Sequence, residues 1–180
     1  MAGTRAADVH PPYHYPDYKS TRLRAPAQAT VRVTPSPLEL AGPAFPKTFV
    51  KESEADLTTW GKSAPLDPNF LGKGQVLTDD EGRYRIVTVK PGAYPWQNHA
   101  FAWRPAHIHF SLFGNTYAQR LITQMFFPGD PLLAIDPIFN SVPEAGRKLL
   151  LAELDLEHGV EGVALGYRFD MVLHATPMGV

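Results

Sequence analysis

The chain has 180 residues, 44% of them hydrophobic and 19% charged, which predicts one domain with a sizeable core, or one domain plus an arm. Seventeen basic and eighteen acidic residues give a net charge of −1, which argues against a nucleic-acid or membrane-surface binder. There is no cysteine, so any metal must be held by His, Tyr, Asp or Glu. No apolar run approaches the roughly 18 residues of a membrane span, and no secretory leader is recognisable, so we predict a cytoplasmic protein.

The first third of the chain is rich in proline. Proline makes up 18 of the 180 residues and is concentrated in residues 1–50. Each proline removes a backbone donor and biases the residue before it towards extended geometry. We therefore predict an extended N-terminal arm and linker over residues 1–63, with at most one short strand at residues 30–33. Its tyrosines, among them Tyr18, are expected to pack on the domain's own surface or on another subunit.

Residues 64–180 have the pattern of a folded core. Residues 79–82 (DDEG) indicate a turn, and the alternating residues 83–90 (RYRIVTVK) predict a strand. Residues 106–113 and 118–127 also alternate and are joined by a Gly-Asn turn, which predicts a hairpin. The last predicted strand covers residues 164–174.

One helix is predicted in this core. Residues 141–144 (SVPE) fit a capping box with proline in the first turn, and the helix is expected to continue through the leucine-rich stretch to Leu156. Strands outnumber helices about four to one in this pattern, so the predicted fold class is all-β. We expect an antiparallel β-sandwich with one short helix and the extended proline-rich arm.

Two histidines are candidate metal ligands. His107 and His109 are two residues apart in a predicted strand, so both imidazoles leave the same face, with Cα atoms roughly 6.6 Å apart. Pairs with this spacing also arise by chance, and a solvated strand face is an equally good interpretation of the spacing alone. No Asp or Glu lies between Tyr84 and Gln119. A two-His-one-carboxylate iron site therefore has no local carboxylate, and the helical His pair of zinc proteases is absent.

Two further residues extend this candidate site. Tyr94 lies in the motif PGAYPW at residues 91–96, where flanking prolines restrict the backbone. A phenolate is a hard anionic ligand and favours a trivalent ion such as Fe(III) over Zn²⁺. Arg104 precedes His107 by three residues and could give a fixed positive charge to an anionic intermediate. The alternative for Arg104 is an ordinary surface ion pair.

These motifs resemble those of a known family. PGAYPW at residues 91–96 and WRPAHIHF at residues 103–110 are similar to motifs of the intradiol ring-cleaving dioxygenases, and more specifically of the beta chains that act on protocatechuate. The likeness covers nearly the whole chain and continues in the arm at residues 16–19 (PDYK) and 40–43 (LAGP), and in the core at residues 64–70 (APLDPNF), 77–82 (LTDDEG), 119–124 (QRLITQ), 127–131 (FPGDP) and 167–170 (YRFD).

The resemblance implies a β-sandwich with a mononuclear non-haem Fe(III) ion bound by two Tyr and two His. By position, His107, His109 and Tyr94 would be iron ligands, and Arg104 would stabilise charge during catalysis. The implied substrate contacts are Tyr18, Trp96, Gln124 and Ile138. The implied reaction cleaves protocatechuate, or a related catechol, with O2 between its hydroxyl-bearing carbons to give 3-carboxy-cis,cis-muconate. An alpha chain is the implied protein partner.

The chain departs from the family pattern at one point. In the family, several strands and the axial tyrosinate, in a Gly-Arg-Tyr-Arg-His stretch, precede the APLDP motif, whereas here Ser63 runs directly into Ala64, as after an internal deletion. GRYR at residues 82–85 follows a turn, so Tyr84 is expected to be a sheet residue and not a substitute ligand. Two alternatives stay open from the sequence: a non-catalytic structural chain of such a dioxygenase, and another small β-sandwich metal-binding module.

Overall fold

The computed structural model of the protein describes residues 10–19, 21–29, 72–95, 103–114 and 120–173. The chain divides into two units, one formed by Met1–Gly42 with Pro91–Val180 and the other by Pro43–Lys90. The strand predicted at residues 30–33, the junction before Ala64 and Trp96 lie outside the described residues. Among the described residues, no helix is both long and apolar enough to cross a membrane.

Short antiparallel strand pairs form most of the regular structure in the described residues. The strands are β1 (Tyr94–Pro95), β2 (Trp103–Arg104), β3 (His107–Phe113), β4 (Arg120–Phe126), β5 (Glu153–Leu154) and β6 (Tyr167–Arg168). The helices are α1 (Thr21–Arg24), α2 (Pro137–Asn140) and α3 (Glu144–Leu149), with 3₁₀ turns at Pro131–Ala134 and Leu156–His158. The strands pair as β1–β2, β3–β4 and β5–β6, each pair antiparallel. This agrees with the predicted all-β class, while the stacking of sheets into a sandwich stays a prediction.

The hairpin β3–β4 is the longest paired element that the structure describes. Its register runs from His107 opposite Phe126 to Phe113 opposite Arg120. Burial alternates along β3, as expected for an extended chain with side chains on alternate faces. Ile108 and Phe110 pack against the core while His109 is exposed on the other face, as expected for alternating residues of a strand.

The main core cluster lies beneath that apolar face. Its buried members are Ala106, Met125, Phe127, Ala152 and Phe169, with Ile108, Phe110, Tyr167 and Met171 packed against them. Two aromatic pairs join the hairpin to β6 and its neighbours. Phe110 lies 5.7 Å from Phe169, and Phe127 meets Tyr167 edge-on at 5.1 Å between ring centroids. Full burial of a large apolar side chain such as Met125, Phe127 or Phe169 contributes about 1.5–3 kcal/mol, so this cluster stabilises the hairpin that carries the histidines.

The predicted helix of residues 141–156 is wrong in its start and in its length. Ser141 does not cap it but ends α2, where its hydroxyl donates to the carbonyl oxygen of Ile138 at 2.7 Å. α3 is capped by Pro143 without a side-chain bond, and it stops at Leu149. The chain stops being helical because the next residues pair with the end of β4. The N–H of Phe126 donates to Leu150 at 2.8 Å, and the N–H of Ala152 donates back to Phe126 at 2.9 Å. The described residues contain three short helices, not one.

Two predicted strands are also shorter than expected. The turn at residues 79–82 is confirmed: Gly82 has a φ of +79° and its N–H donates to the carbonyl of Asp79 at 3.0 Å. After it, burial alternates, with Tyr84 and Ile86 less exposed than their neighbours, yet residues 83–90 form only a single-residue bridge, at Val87. Of residues 164–174, the described part forms strand only at Tyr167–Arg168. Alternation predicts an extended backbone with two faces, but a ladder also requires a neighbouring strand in register.

Candidate metal centre

Two strand pairs and the proline between them assemble the candidate site. Tyr94 on β1 lies opposite Arg104 on β2, and His109 on β3 lies opposite Gln124 on β4. Arg104 ends β2 and His107 begins β3, so only two residues separate the two elements. One of them, Pro105, is fully buried. Five of the predicted site residues are therefore brought together by local pairing, without a long crossover.

The two histidines point their Nε2 atoms at each other. These atoms are 3.2 Å apart, and the ring centroids are 5.0 Å apart. The Nδ1–H of His107 donates to the carbonyl oxygen of Pro105 at 2.7 Å. A neutral imidazole bound in this way carries its lone pair on Nε2, which is the arrangement of a metal-ligating histidine.

The separation of the Nε2 atoms fits two ligands of one ion. Nitrogen ligands about 2.1 Å from a common metal, at an angle of about 100°, lie about 3.2 Å from each other. Among the described residues, no three His, Cys, Asp or Glu side chains gather into a metal-binding cluster. Within the described part of the chain, a third protein ligand at this pair would be of another donor type, and the phenol of Tyr94 is the one assigned from the sequence.

Tyr94 is adjacent to the histidine pair. Its ring centroid lies 5.7 Å from that of His107, at an interplanar angle of 38°. Tyr94 is 41% exposed, whereas His107 is 8% exposed, so the phenol borders solvent while the imidazole belongs to the interior. A histidine pair with a bordering phenol is the donor set expected for a hard trivalent ion such as Fe(III).

The surroundings lower the pKa of both imidazoles and so favour their neutral form. Burial lowers the pKa of His107 from its ordinary value, opposed by the bond to the Pro105 carbonyl and helped by the positive charge of Arg104. Partial desolvation of its ring also lowers the pKa of His109, although the residue as a whole is exposed, and the charge of Arg104 adds to that effect. Because a neutral imidazole keeps a free lone pair, both side chains are able to bind a metal at neutral pH.

Arg104 is the buried cation of the site. It is 2% exposed, and its ion pair with Asp136 joins Nη2 to Oδ2 at 3.0 Å, with Nε to Oδ1 at 3.2 Å. Its Nη2 also donates to Oε1 of Gln124 at 2.8 Å, and its Nη1 lies 3.1 Å from Nε2 of His107. The alternative of an ordinary surface ion pair, open from the sequence, is wrong for Arg104. These contacts hold the positive charge of Arg104 in one position beside the candidate ligands.

Asp136 is the one member of this cluster that sequence reasoning missed. It is fully buried, and its carboxylate also accepts the N–H groups of Ile138 and Phe139, each at 3.3 Å, at the start of α2. Asp followed by proline at the first helical position is a recognisable helix start, so the capping role was readable. Its ion-pair partner, Arg104, lies 32 residues earlier in the chain, and no local sequence pattern predicts a contact over that distance.

The structure describes three of the four predicted substrate contacts. Gln124 and Ile138 are partly buried beside Arg104 and Asp136, as described. Tyr18 lies before α1, where its carbonyl accepts from the N–H of Thr21 at 2.9 Å. Trp96 lies outside the described residues. The ligand and substrate roles of all these residues stay predictions, and Tyr84 belongs to the other unit of the chain.

Comparison with known proteins places the chain in a family. A family model described as "Dioxygenase" matches residues 52–175, and one described as "Protocatechuate 3,4-dioxygenase beta subunit N terminal" matches residues 4–36. The first match covers well over half of the chain, so the chain belongs to the intradiol dioxygenase family, and the resemblance seen in its motifs is confirmed.

Individual relatives agree with this assignment. The chain is 64% identical over 118 residues to a protocatechuate 3,4-dioxygenase beta chain of Burkholderia cepacia, covering 64% of this chain and 50% of that protein. It is 32% identical over 115 residues to a chlorocatechol 1,2-dioxygenase of Pseudomonas sp. (strain P51), covering 53% of this chain and 45% of that protein. A hydroxyquinol 1,2-dioxygenase of Rhizobium sp. (strain MTP-10005) is 28% identical over 86 residues, covering 42% of this chain and 29% of that protein. The chain thus spans about half or less of the length of these relatives.

Proposed function

We propose that the chain is an iron-dependent intradiol dioxygenase subunit that cleaves protocatechuate with O2 to 3-carboxy-cis,cis-muconate, a step of aromatic catabolism in the beta-ketoadipate pathway. The observation that carries the proposal is the 3.2 Å separation of the His107 and His109 Nε2 atoms beside the buried guanidinium of Arg104. Membership of the family and the similarity to a protocatechuate 3,4-dioxygenase beta chain support this substrate. A cytoplasmic location remains a prediction.

Three side chains would hold the metal in this proposal. His107 and His109 offer neutral Nε2 atoms, and Tyr94 offers a phenol next to them. When bound, Fe(III) supplies Lewis acidity that lowers the pKa of catechol hydroxyl groups and chelates them. The family's fourth ligand, an axial tyrosinate, has no counterpart that sequence reasoning could assign in this chain.

The protein's own groups would then position and stabilise the bound anion. Arg104 holds a fixed positive charge beside the ligand nitrogens, where it would stabilise negative charge that develops on the substrate during cleavage. The side-chain carbonyl oxygen of Gln124 accepts a hydrogen bond from Arg104, so its amide N–H groups remain donors for a substrate oxygen. Ile138 would give apolar contact to the aromatic ring. Tyr18 and Trp96 are proposed to complete the pocket, on the strength of the family resemblance.

Turnover is expected to be slow compared with full-length relatives. In the family a second tyrosine would serve as the base for one catechol proton, and in this chain water or hydroxide would have to accept that proton. The test is oxygen uptake with protocatechuate by the iron-loaded chain, compared with the same chain carrying the family segment restored before Ala64. A much lower rate without the segment supports the proposal. Equal rates would show that Tyr84 or water replaces the missing ligand.

The visible spectrum separates this proposal from the alternative of a structural chain. A phenolate bound to Fe(III) absorbs in the visible range and colours the protein burgundy. The alternative is a non-catalytic structural chain of such a dioxygenase in a hetero-oligomer. A colourless protein that binds an alpha-type chain would support that alternative. A coloured protein that binds protocatechuate would support the dioxygenase.

A further inference from the structure

We infer that Asp136 is the positioning residue of Arg104, and that it thereby controls how tightly the site binds a catecholate; this inference rests on the proposed function. Asp136 is fully buried, and both of its carboxylate oxygens accept hydrogen bonds from the guanidinium of Arg104. Oδ1 lies 3.2 Å from Nε, and Oδ2 lies 3.0 Å from Nη2. A two-point contact of this kind fixes the plane of the guanidinium as well as its position.

The orientation matters because it decides which N–H groups face the histidines. A guanidinium has five N–H donors. Three of these N–H groups, one on Nε and two on Nη2, donate to Asp136 and Gln124. The two N–H groups of Nη1 therefore face the metal side of the site. One of these points at Nε2 of His107, 3.1 Å away. Once that nitrogen binds a metal its lone pair is no longer available, and both Nη1 donors can turn to an anion bound beside the metal.

The same carboxylate also sets the apolar side of the pocket. Asp136 accepts the backbone N–H groups of Ile138 and Phe139 and so begins α2. Ile138 is the predicted ring contact of the substrate. One buried carboxylate therefore fixes the cation and the start of the helix that carries the apolar contact, two features that recognise a charged aromatic ring.

A purely structural role is the competing explanation. Asp136 neutralises a buried charge, and removal of one partner of a buried ion pair is destabilising in any protein. The substitution Asp136→Asn separates the two roles, because asparagine caps a helix about as well as aspartate but carries no charge for Arg104. Asp155→Asn is the matched control. Asp155 caps the 3₁₀ turn Leu156–His158 by accepting the N–H of His158 at 3.3 Å and also contacts the Nδ1 atom of His158, with no arginine partner in the part of the chain that the structure describes.

The main experiment is a double-substitution cycle read by ligand affinity. The full chain is loaded with iron and titrated anaerobically with protocatechuate, and iron content is measured in parallel. We expect Asp136→Asn to keep the iron but weaken the affinity about tenfold or more, while Asp155→Asn changes neither. In an Arg104→Gln background, adding Asp136→Asn should weaken binding no further. Equal weakening in both backgrounds would show a general structural effect and would overturn the inference.

A second readout is independent of iron and substrate. The side-chain Nε–H of Arg104 in the metal-free chain is expected to exchange with solvent much faster in Asp136→Asn than in the parent or in Asp155→Asn. Unchanged exchange in Asp136→Asn would overturn the inference. If the parent chain binds no iron or no protocatechuate, the proposed function fails, and this exchange measurement still decides whether Asp136 positions Arg104.

Failure of Asp136→Asn to fold would also be informative. The combined substitution Asp136→Asn with Arg104→Gln removes the unpaired buried charge and keeps the helix cap. We expect the combination to fold, which would show that the carboxylate acts through Arg104. A combination as unfolded as the single variant would show that Asp136 acts through α2 alone, and would overturn the inference.

Discussion

Phe126 packs against the imidazole of His107, with ring centroids 5.5 Å apart and an interplanar angle of 32°. Phe126 is 1% exposed and also packs against Phe139 in an edge arrangement, with ring centroids 5.0 Å apart. Its backbone exchanges hydrogen bonds with residues 150 and 152, which ties the end of β4 to the segment after α3. The candidate ligand therefore rests on one of the most deeply buried side chains that the structure describes.

The first prediction concerns that support. Phe126→Ala is expected to lower the free energy of unfolding by about 3–5 kcal/mol, because a large buried ring is replaced by a cavity. Phe113→Ala, in the same hairpin but 54% exposed, should cost at most about 1 kcal/mol, mainly from loss of the Arg120 contact with its ring. Urea unfolding of the metal-free chain measures both. Equal losses would contradict the placement of Phe126 in the interior.

The second prediction concerns the histidine pair. His107→Ala or His109→Ala is expected to abolish stoichiometric iron binding, because each removes one of the two convergent nitrogens. His158→Ala is the control, since His158 is exposed and pairs only with Asp155 in the described residues. Metal analysis after gel filtration gives the result. Iron content equal in all three variants would rule out this site.

The third prediction concerns the phenol. Tyr94→Phe is expected to remove the visible absorption band of the iron-loaded chain and to weaken iron binding, because the ring remains and only the oxygen donor is lost. Tyr167→Phe is the matched control: Tyr167 packs edge-on against Phe127 in the core cluster, away from any assigned ligand role. The band should persist in Tyr167→Phe. Its persistence in Tyr94→Phe would exclude Tyr94 as the phenolate.

The fourth prediction concerns association. Several apolar side chains of the last described segment are exposed, with Val163 at 82%, Leu165 at 66% and Val172 at 78%. Exposed apolar surface of this kind promotes association, so we expect the chain alone to self-associate and to copurify with an alpha-type chain. Val163→Ser combined with Leu165→Ser should raise the monomer fraction in light scattering, whereas Val89→Ser, in the other unit, should not. A monodisperse parent monomer would contradict this prediction.

The sequence predicted the hairpin better than the boundaries of the other elements. The alternating pattern placed His107 and His109 on one face because a side-chain period of two is enforced by the backbone itself. The helix after Ser141 was predicted too long because its leucines are compatible with two structures. They could continue the helix, or they could form an extended segment that pairs with Phe126. Which of the two forms depends on a contact between segments more than twenty residues apart.

The same limit explains what sequence reasoning missed in the site. Spacing showed that Arg104 was close to His107, but not that it was buried or held by a carboxylate. The contact with Asp136 spans 32 residues and depends on where α2 meets the end of β2. Local patterns encode faces and turns, whereas pairings of this range follow only from the packed core.

The distances along the chain also imply an order of assembly. The two imidazoles and Gln124 belong to one hairpin, and hairpins form within about 1–10 μs because their ends are close in sequence. Arg104 meets its counter-ion only when the chain has closed a much longer loop. We therefore expect the nitrogen pair to be organised early in folding and the guanidinium to be locked last. Folding kinetics of hairpin substitutions and of Asp136→Asn would show this order as φ-values near one and near zero.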